Sequence, residues 1–314
     1  MKSLAQIEPR TAITNTATAV TISQPGSYYL TGNLTVSSGD AITIATNGVT
    51  LDLNGFTISS TEATPTGSGI VFSGSDPRDI TILNGHIQGG VTDNGGVFSG
   101  SGFANGIYFS GNQPANVLVS KVSVSGCLNY GIRLNNGDST VVESCTVRTI
   151  GSYGIVASTV KGCGAADCGN TAISGDQVSD CRGATVGSGA GIFATIAQHC
   201  YGTGTGSGYG ILATTVQNCY GSCNGSGYGI YANYNAQNCY GNSGSGTGLY
   251  AKTALNCYGN CAGSGYGLYA YATATSCVGY SSSGTGLYAF IANVCYGGTS
   301  SGTGLSATHN DNSF

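Results

Sequence analysis

The chain has no Trp, one Met and five Pro among 314 residues, and only 7% of its residues are charged. An ordinary soluble domain is ~25% charged. Each shortage excludes something. Collagen needs abundant Pro and Gly at every third position, and neither is present. A chain held disordered by charge is excluded by the low charge beside 40% hydrophobic residues. The formal net charge of −4 offers nothing to a phosphate backbone, so no nucleic acid is expected as a partner. No run of ~18 apolar residues occurs, so no membrane span is expected.

What the chain does have is 54 Gly, 20 Tyr and 13 Cys. Such a Gly excess means either low complexity or a repeat whose turns demand Gly. The spacing decides for a repeat. One apolar position recurs at Ile155, Ile173, Ile192, Ile211, Ile230, Leu249, Leu268, Leu287 and Leu305, in steps of 18 or 19 residues. A second marker keeps the same period. Cys127, Cys145, Cys163, Cys181, Cys200, Cys219, Cys239, Cys257, Cys277 and Cys295 are 18 to 20 residues apart.

The unit reads G-x-G-[IL]-x-A, a short spacer, then N-C-Y-G, as in residues 208–220 and 227–240. It is too short for a helix, a strand and two loops. Its apolar and small residues alternate with Gly between them, which is strand and turn chemistry. One such unit cannot bury a face alone, but stacked units share a continuous core. The expectation is an all-β parallel solenoid of about 13 coils, near 19 residues each in the C-terminal half, stacked at ~4.8 Å.

The N-terminal half follows the same logic less regularly. Val49 to Leu53, Ile42 to Ile44 and Ile80 to Ile82 alternate in and out. Leu53-Asn54-Gly55-Phe56 and Leu83-Asn84-Gly85-His86 repeat one turn, with His86 level with Phe56. Inserted loops are expected around 60–68 and 89–106, and Ile107 and Ile132 continue the strand. The expected organisation is an N-terminal segment and cap over 1–35, then a solenoid over 36–314 that becomes regular at about 150.

The stretch Ile7-Glu8-Pro9-Arg10-Thr11, then residues 23–36 and 49–58, resembles the start of bacterial right-handed parallel β-helix repeat proteins of the pectin-lyase-like superfold. The resemblance implies a right-handed β-helix and an extracellular or cell-surface setting. It implies no particular activity, because the superfold hosts lyases, hydrolases, tailspikes, adhesins and inert scaffolds. Met1-Lys2-Ser3-Leu4 leads into polar residues, so no leader peptide is visible.

The ladders carry the remaining expectations. One Cys per coil does not bring four thiolates to a point, as structural zinc requires, so buried unbonded thiols are expected. Cys168, Cys223 and Cys261 lie off the ladder, where other coils hold Gly204, Ser243, Ser281 and Thr299. Local bridges such as Cys219–Cys223 and Cys257–Cys261 are the alternative. Thirteen is odd, so at least one thiol is free or pairs between chains.

Fifteen of the 20 Tyr fall between 201 and 296. Tyr201, Tyr220, Tyr240, Tyr258 and Tyr296 follow the ladder Cys, and Tyr231, Tyr250, Tyr269 and Tyr288 follow the Gly-[Ile/Leu] pair. Alternation places these rings outside. They can stack between coils or form a strip for a polysaccharide or a second copy of the chain, and all but Tyr296 are taken as candidate binding residues.

Charge is lopsided: beyond residue 182 only Lys252 and Asp311 are charged. A charged site in the middle coils would draw on Asp76, Asp79, Asp93, Arg133, Asp138, Glu143, Arg148, Lys161, Asp167, Asp176 and Asp180. Glu143 and Lys161 are expected to stack as a pair. No paired-Asp, Gly-His-Gly or Arg-x-Lys motif, nucleophile elbow, phosphate loop or EF-hand is present. His199 holds the place of Asn218, Asn238 and Asn256 and reads as a turn residue. No catalytic residue, metal or cofactor is implied. The leading function is a non-catalytic extracellular structural or adhesive rod, self-assembling or touching polysaccharide through its Tyr ladders. The alternative is a polysaccharide lyase or glycoside hydrolase using the middle-coil charges.

Overall fold

A computed structural model describes residues 10–14, 18–74, 76–109, 111, 114–135 and 139–314. Among these residues there is no helix, and strands pair in parallel from coil to coil. The architecture is a parallel β-solenoid of about 15 coils, a little more than the 13 expected. The N-terminal residues account for part of the difference. Strands Val20–Ile22 and Gly26–Leu30 pair with the next coil, Val20 on Ile42 and Tyr28 on Leu51. Ile7, Glu8 and Pro9 of the resembling stretch lie outside the described residues.

The chain divides into two compact units, residues 1–168 and 169–314. In the first unit three parallel columns of large apolar residues fill the interior. One runs Ile42, Ile70, Ile107, Ile132, Ile155. A second runs Leu51, Ile82, Val119, Val142, Val160. A third runs Leu34, Ile58, Ile87, Val124, Val147. All of these are buried. The irregular coil length comes from excursions such as the antiparallel hairpin Gly90–Asn94 and Val97–Ser101, inside the expected loop. His86 is level with Thr57 rather than Phe56.

The second unit has a regular coil of one long and one short strand, for example Tyr209–Gln217 and Tyr220–Cys223. Ile173, Ile192, Ile211, Ile230, Leu249, Leu268, Leu287 and Leu305 form one column. The rest of its interior is mostly small: Ala213, Ala232, Ala236 and Ala254, the Cys column, and facing Gly, with Val178 and Val216 the larger members. A Cβ on Gly221 would overlap the carbonyl oxygen of Gly229, and one on Gly229 would overlap the backbone of Asn242. The same holds at Gly241 against Gly248 and at Gly259 against Gly267. Two strands therefore meet backbone to backbone with no side chain between them.

Most of these glycines are not there for left-handed turns. In this unit Gly206 is the one glycine with positive φ, and the left-handed position falls to the residue before each ladder Cys. Asp180, His199, Asn218, Asn238, Asn256, Ser276 and Val294 have φ between 51° and 55°. Asn tolerates this region best among residues with a Cβ. The side chains also form a ladder. Asn238 Nδ2 donates to Asn218 Oδ1 at 3.1 Å, and Asn218 Nδ2 lies 3.1 Å from His199 Nε2. His199 is the turn residue its alignment suggests.

All thirteen cysteines are buried thiols, so the local bridges do not form. Gly204, Cys223, Ser243, Cys261, Ser281 and Thr299 share a second interior column, as their spacing predicts. Burial pushes the Cys127 and Cys168 thiols up to about 12. Cys219 and Cys257 are also pushed up, first by the hydrogen bond to a neighbouring thiol and then by burial.

The long strand contains a bulge on its outer side. Register shifts occur between Ala213 and Thr215, between Tyr231 and Asn235, and between Ala270 and Thr273. This absorbs coils of unequal length and lets Tyr234 and Tyr271 project, 54% and 41% exposed.

Candidate functional site

The eight candidate tyrosines lie on the outer surface of the second unit in two separate columns. Parallel pairing fixes this: each ring sits one strand spacing above its equivalent. Tyr201, Tyr220, Tyr240 and Tyr258 stack with centroids 4.8, 5.0 and 4.9 Å apart and planes within 12°. The Arg182 guanidinium lies 4.9 Å from the Tyr201 centroid, over its ring. Val278 interrupts this column before Tyr296. Tyr231, Tyr250, Tyr269 and Tyr288 stack at 4.6, 5.2 and 4.6 Å.

The stacking changes what the columns offer. Near-parallel rings at this spacing cover much of each other's faces, so the surface presents ring edges and a row of phenol oxygens. Burial in the stack, then the neighbouring phenols, holds the Tyr240, Tyr250 and Tyr269 hydroxyls above their ordinary range.

Several neighbours escape a two-marker reading of the sequence. Phe193 and Leu212 continue the Tyr231 column. Tyr228 packs edge-on against Tyr231 and Tyr250 at 5.1 and 6.0 Å, and Tyr266 does so against Tyr269 at 4.9 Å. The Tyr271 hydroxyl donates to the Asn233 carbonyl at 3.4 Å. Tyr209 and Tyr228 precede the Gly-[Ile/Leu] pair by one residue, a signal present in the repeat itself. The bulge that displays Tyr234 and Tyr271 leaves only a one-residue change in coil length.

Beside the Tyr231 column runs a shallow groove of about 230 Å³ lined by Thr215, Gln217, Asn235, Gln237, Thr253 and Leu255. Its polar groups are uncharged hydroxyls and amides, set among the apolar Val216, Ala236 and Leu255. Gln198 Nε2 donates to Gln217 Oε1 at 3.1 Å in the column that Gln237 continues.

The charged candidates behave differently. Asp76 pairs with Arg78 in a groove of about 450 Å³ that also contains Asn47 and Pro77. Asp79 accepts from Asn116 Nδ2 at 2.6 Å, Asp93 from the Gly96 N–H at 2.7 Å, and Asp167 from Thr149 Oγ1 at 2.7 Å. Arg133 lies over the Tyr130 ring at 4.5 Å and donates to Asn135. Glu143 and Lys161 are level, as expected, but Glu143 accepts from Ser120 at 3.1 Å and the two do not form an ion pair. Asp180 lies 3.6 Å from His199 in the turn ladder. Arg148 and Asp176 join none of these contacts, and Asp138 lies outside the described residues. Each carboxylate with a partner serves a local turn or neighbour. Among the described residues no three His, Cys, Asp or Glu side chains gather as a metal site would require.

Neither a protein-family model nor a curated protein matches the chain. Among solved structures it is similar to a GH136 lacto-N-biosidase from Eubacterium ramulus, at 12% identity and a TM-score of 0.31. The match covers 96% of this chain and 60% of that one, so the chain spans about 60% of the length of that structure. By its own strand pairing, the chain is a parallel β-helix repeat protein.

Proposed function

We propose that the chain is a non-catalytic, cell-surface adhesive scaffold whose second unit holds an uncharged polysaccharide. The observation that carries this reading is a groove of uncharged amides and hydroxyls set among apolar side chains, beside a stacked Tyr column, on a surface where Lys252 and Asp311 are the charged residues beyond 182. Neutral hydrogen-bonding groups recurring at one strand spacing suit a neutral polymer that itself repeats. The Tyr contribution is through edges and hydroxyls, which form hydrogen bonds and apolar contacts without an open ring face. A lyase or hydrolase needs an acid and a base converging on one bond, whereas the partnered carboxylates here are taken up locally.

Affinity electrophoresis and calorimetry against neutral and acidic polysaccharides test this. Neutral chains should bind, and Asn235→Ala with Gln237→Ala should weaken binding about tenfold, the loss of roughly one net hydrogen bond or two. Failure to bind any neutral polysaccharide, or release of reducing ends during incubation, would overturn it.

A further inference from the structure

The interior Cys column of the second unit has no part in that function. Seven thiols, from Cys181 to Cys295, occupy the same place in seven successive coils, because the residues on either side pair in register throughout. All are 1–4% exposed. The Cys200 N–H donates to Cys219 Sγ at 3.3 Å, and the Cys257 N–H to Cys277 Sγ at 3.4 Å, so each sulfur reaches back to the cysteine of the preceding coil. Cys219 donates to the Gln217 carbonyl and Cys239 to the Gln237 carbonyl, both at 3.1 Å.

We propose that this column takes up soft monovalent cations of the copper(I) and silver(I) class, each ion held in line between the sulfurs of two successive coils. Three physical points support it. Soft cations prefer thiolate sulfur. Two bonds as long as the ~2.3 Å zinc–sulfur bond, placed end to end, span ~4.6 Å, close to the ~4.8 Å between strands. Tetrahedral zinc does not fit, since no three ligating side chains converge among the described residues. Charge also balances. Each thiol exchanges its S–H proton for a bond to the cation, and the proton leaves to water. An inner thiolate bridges two ions, so seven thiolates and about six cations form a string carrying about one net charge. That suits an interior where isolated charges are costly. Because the sulfurs are buried, uptake follows local opening of a coil and is slow.

The column carries its own control. Cys223 and Cys261 are equally buried thiols in a neighbouring column, but Ser243 separates them. They cannot share an ion.

The reduced full-length protein is titrated with Ag⁺ without oxygen and then challenged with excess glutathione. The retained ions are counted, and silver X-ray absorption reads the coordination. Two sulfur neighbours per silver are expected. Cys239→Ser removes two bridges and should lower the retained count by about two, whereas Cys223→Ser should leave it unchanged. Complete loss of silver to glutathione, an equal loss from both variants, or one or three sulfur neighbours per ion would overturn the proposal. If Cys239→Ser does not fold, the sulfur count in the unsubstituted protein decides alone.

Discussion

The two units keep their bulk in different places. The first fills its coils with Ile, Val and Leu and leaves few aromatics outside. The second keeps one Ile/Leu column, lines the rest of its coils mainly with Ala, Cys and Gly, and carries further bulk on the surface as Tyr columns. Both bury a continuous core, but the second draws more of its cohesion from side chains on its outer surface: stacked rings and amide ladders. A repeat can thus be stabilised from without when its coil is too narrow to be stabilised from within.

Alkali should disturb this arrangement most. Cys127 and Cys168 are pushed up to about 12 by burial, above the ordinary thiol value near 9. Their raised folded values mean that stability is complete below about pH 9 and is lost as pH rises toward 12. The loss is about 1.4 kcal/mol per thiol for each pH unit. Denaturation midpoints measured from pH 8 to 11 should fall, and a flat profile would show these thiols to be solvated.

Next in size is Gly241→Val. A side chain there meets the Gly248 backbone across the core, so the second unit should lose at least about 3 kcal/mol. Urea unfolding followed by Tyr fluorescence reads this directly.

The contrast between inner and outer bulk is sharpened by a pair. Ile82→Ala in the first unit should cost about 2–5 kcal/mol through its cavity. Tyr250→Ala in the second should cost about 2 kcal/mol, although its ring is partly exposed, because it stacks on both Tyr231 and Tyr269. A surface-like cost near zero for Tyr250→Ala would refute cohesion from outside.

The smallest effect is a gain. Val294 is β-branched, 63% exposed and held at φ 53°, where the other coils favour Asn. Val294→Asn should add about 1 kcal/mol, seen as a higher Tm.

The period was legible because two residue types marked it independently, although Cys127, counted with the Cys ladder, lies level with Ile150 and Cys168 instead. The Tyr columns followed from alternation alone. Ring orientation did not, because alternation says which side a residue faces and not how its ring tilts. The glycines were legible as a register but not in their role. Sequence shows Gly at strand entries, while the facing Gly that touches it lies on another strand. The division at residue 168 was hidden too, since the Cys and Ile markers run on past it. In the first unit, long excursions obscured the spacing that the interior columns preserve.

The outer bulge has one more consequence. Coils of 18 to 20 residues remain in step because the surplus residue of the longest coils leaves the sheet at the same height, beside Tyr234 and Tyr271. That point works as an expansion joint. Segments grafted there should be carried outward without shifting a single column, which makes this the natural place for such a chain to vary.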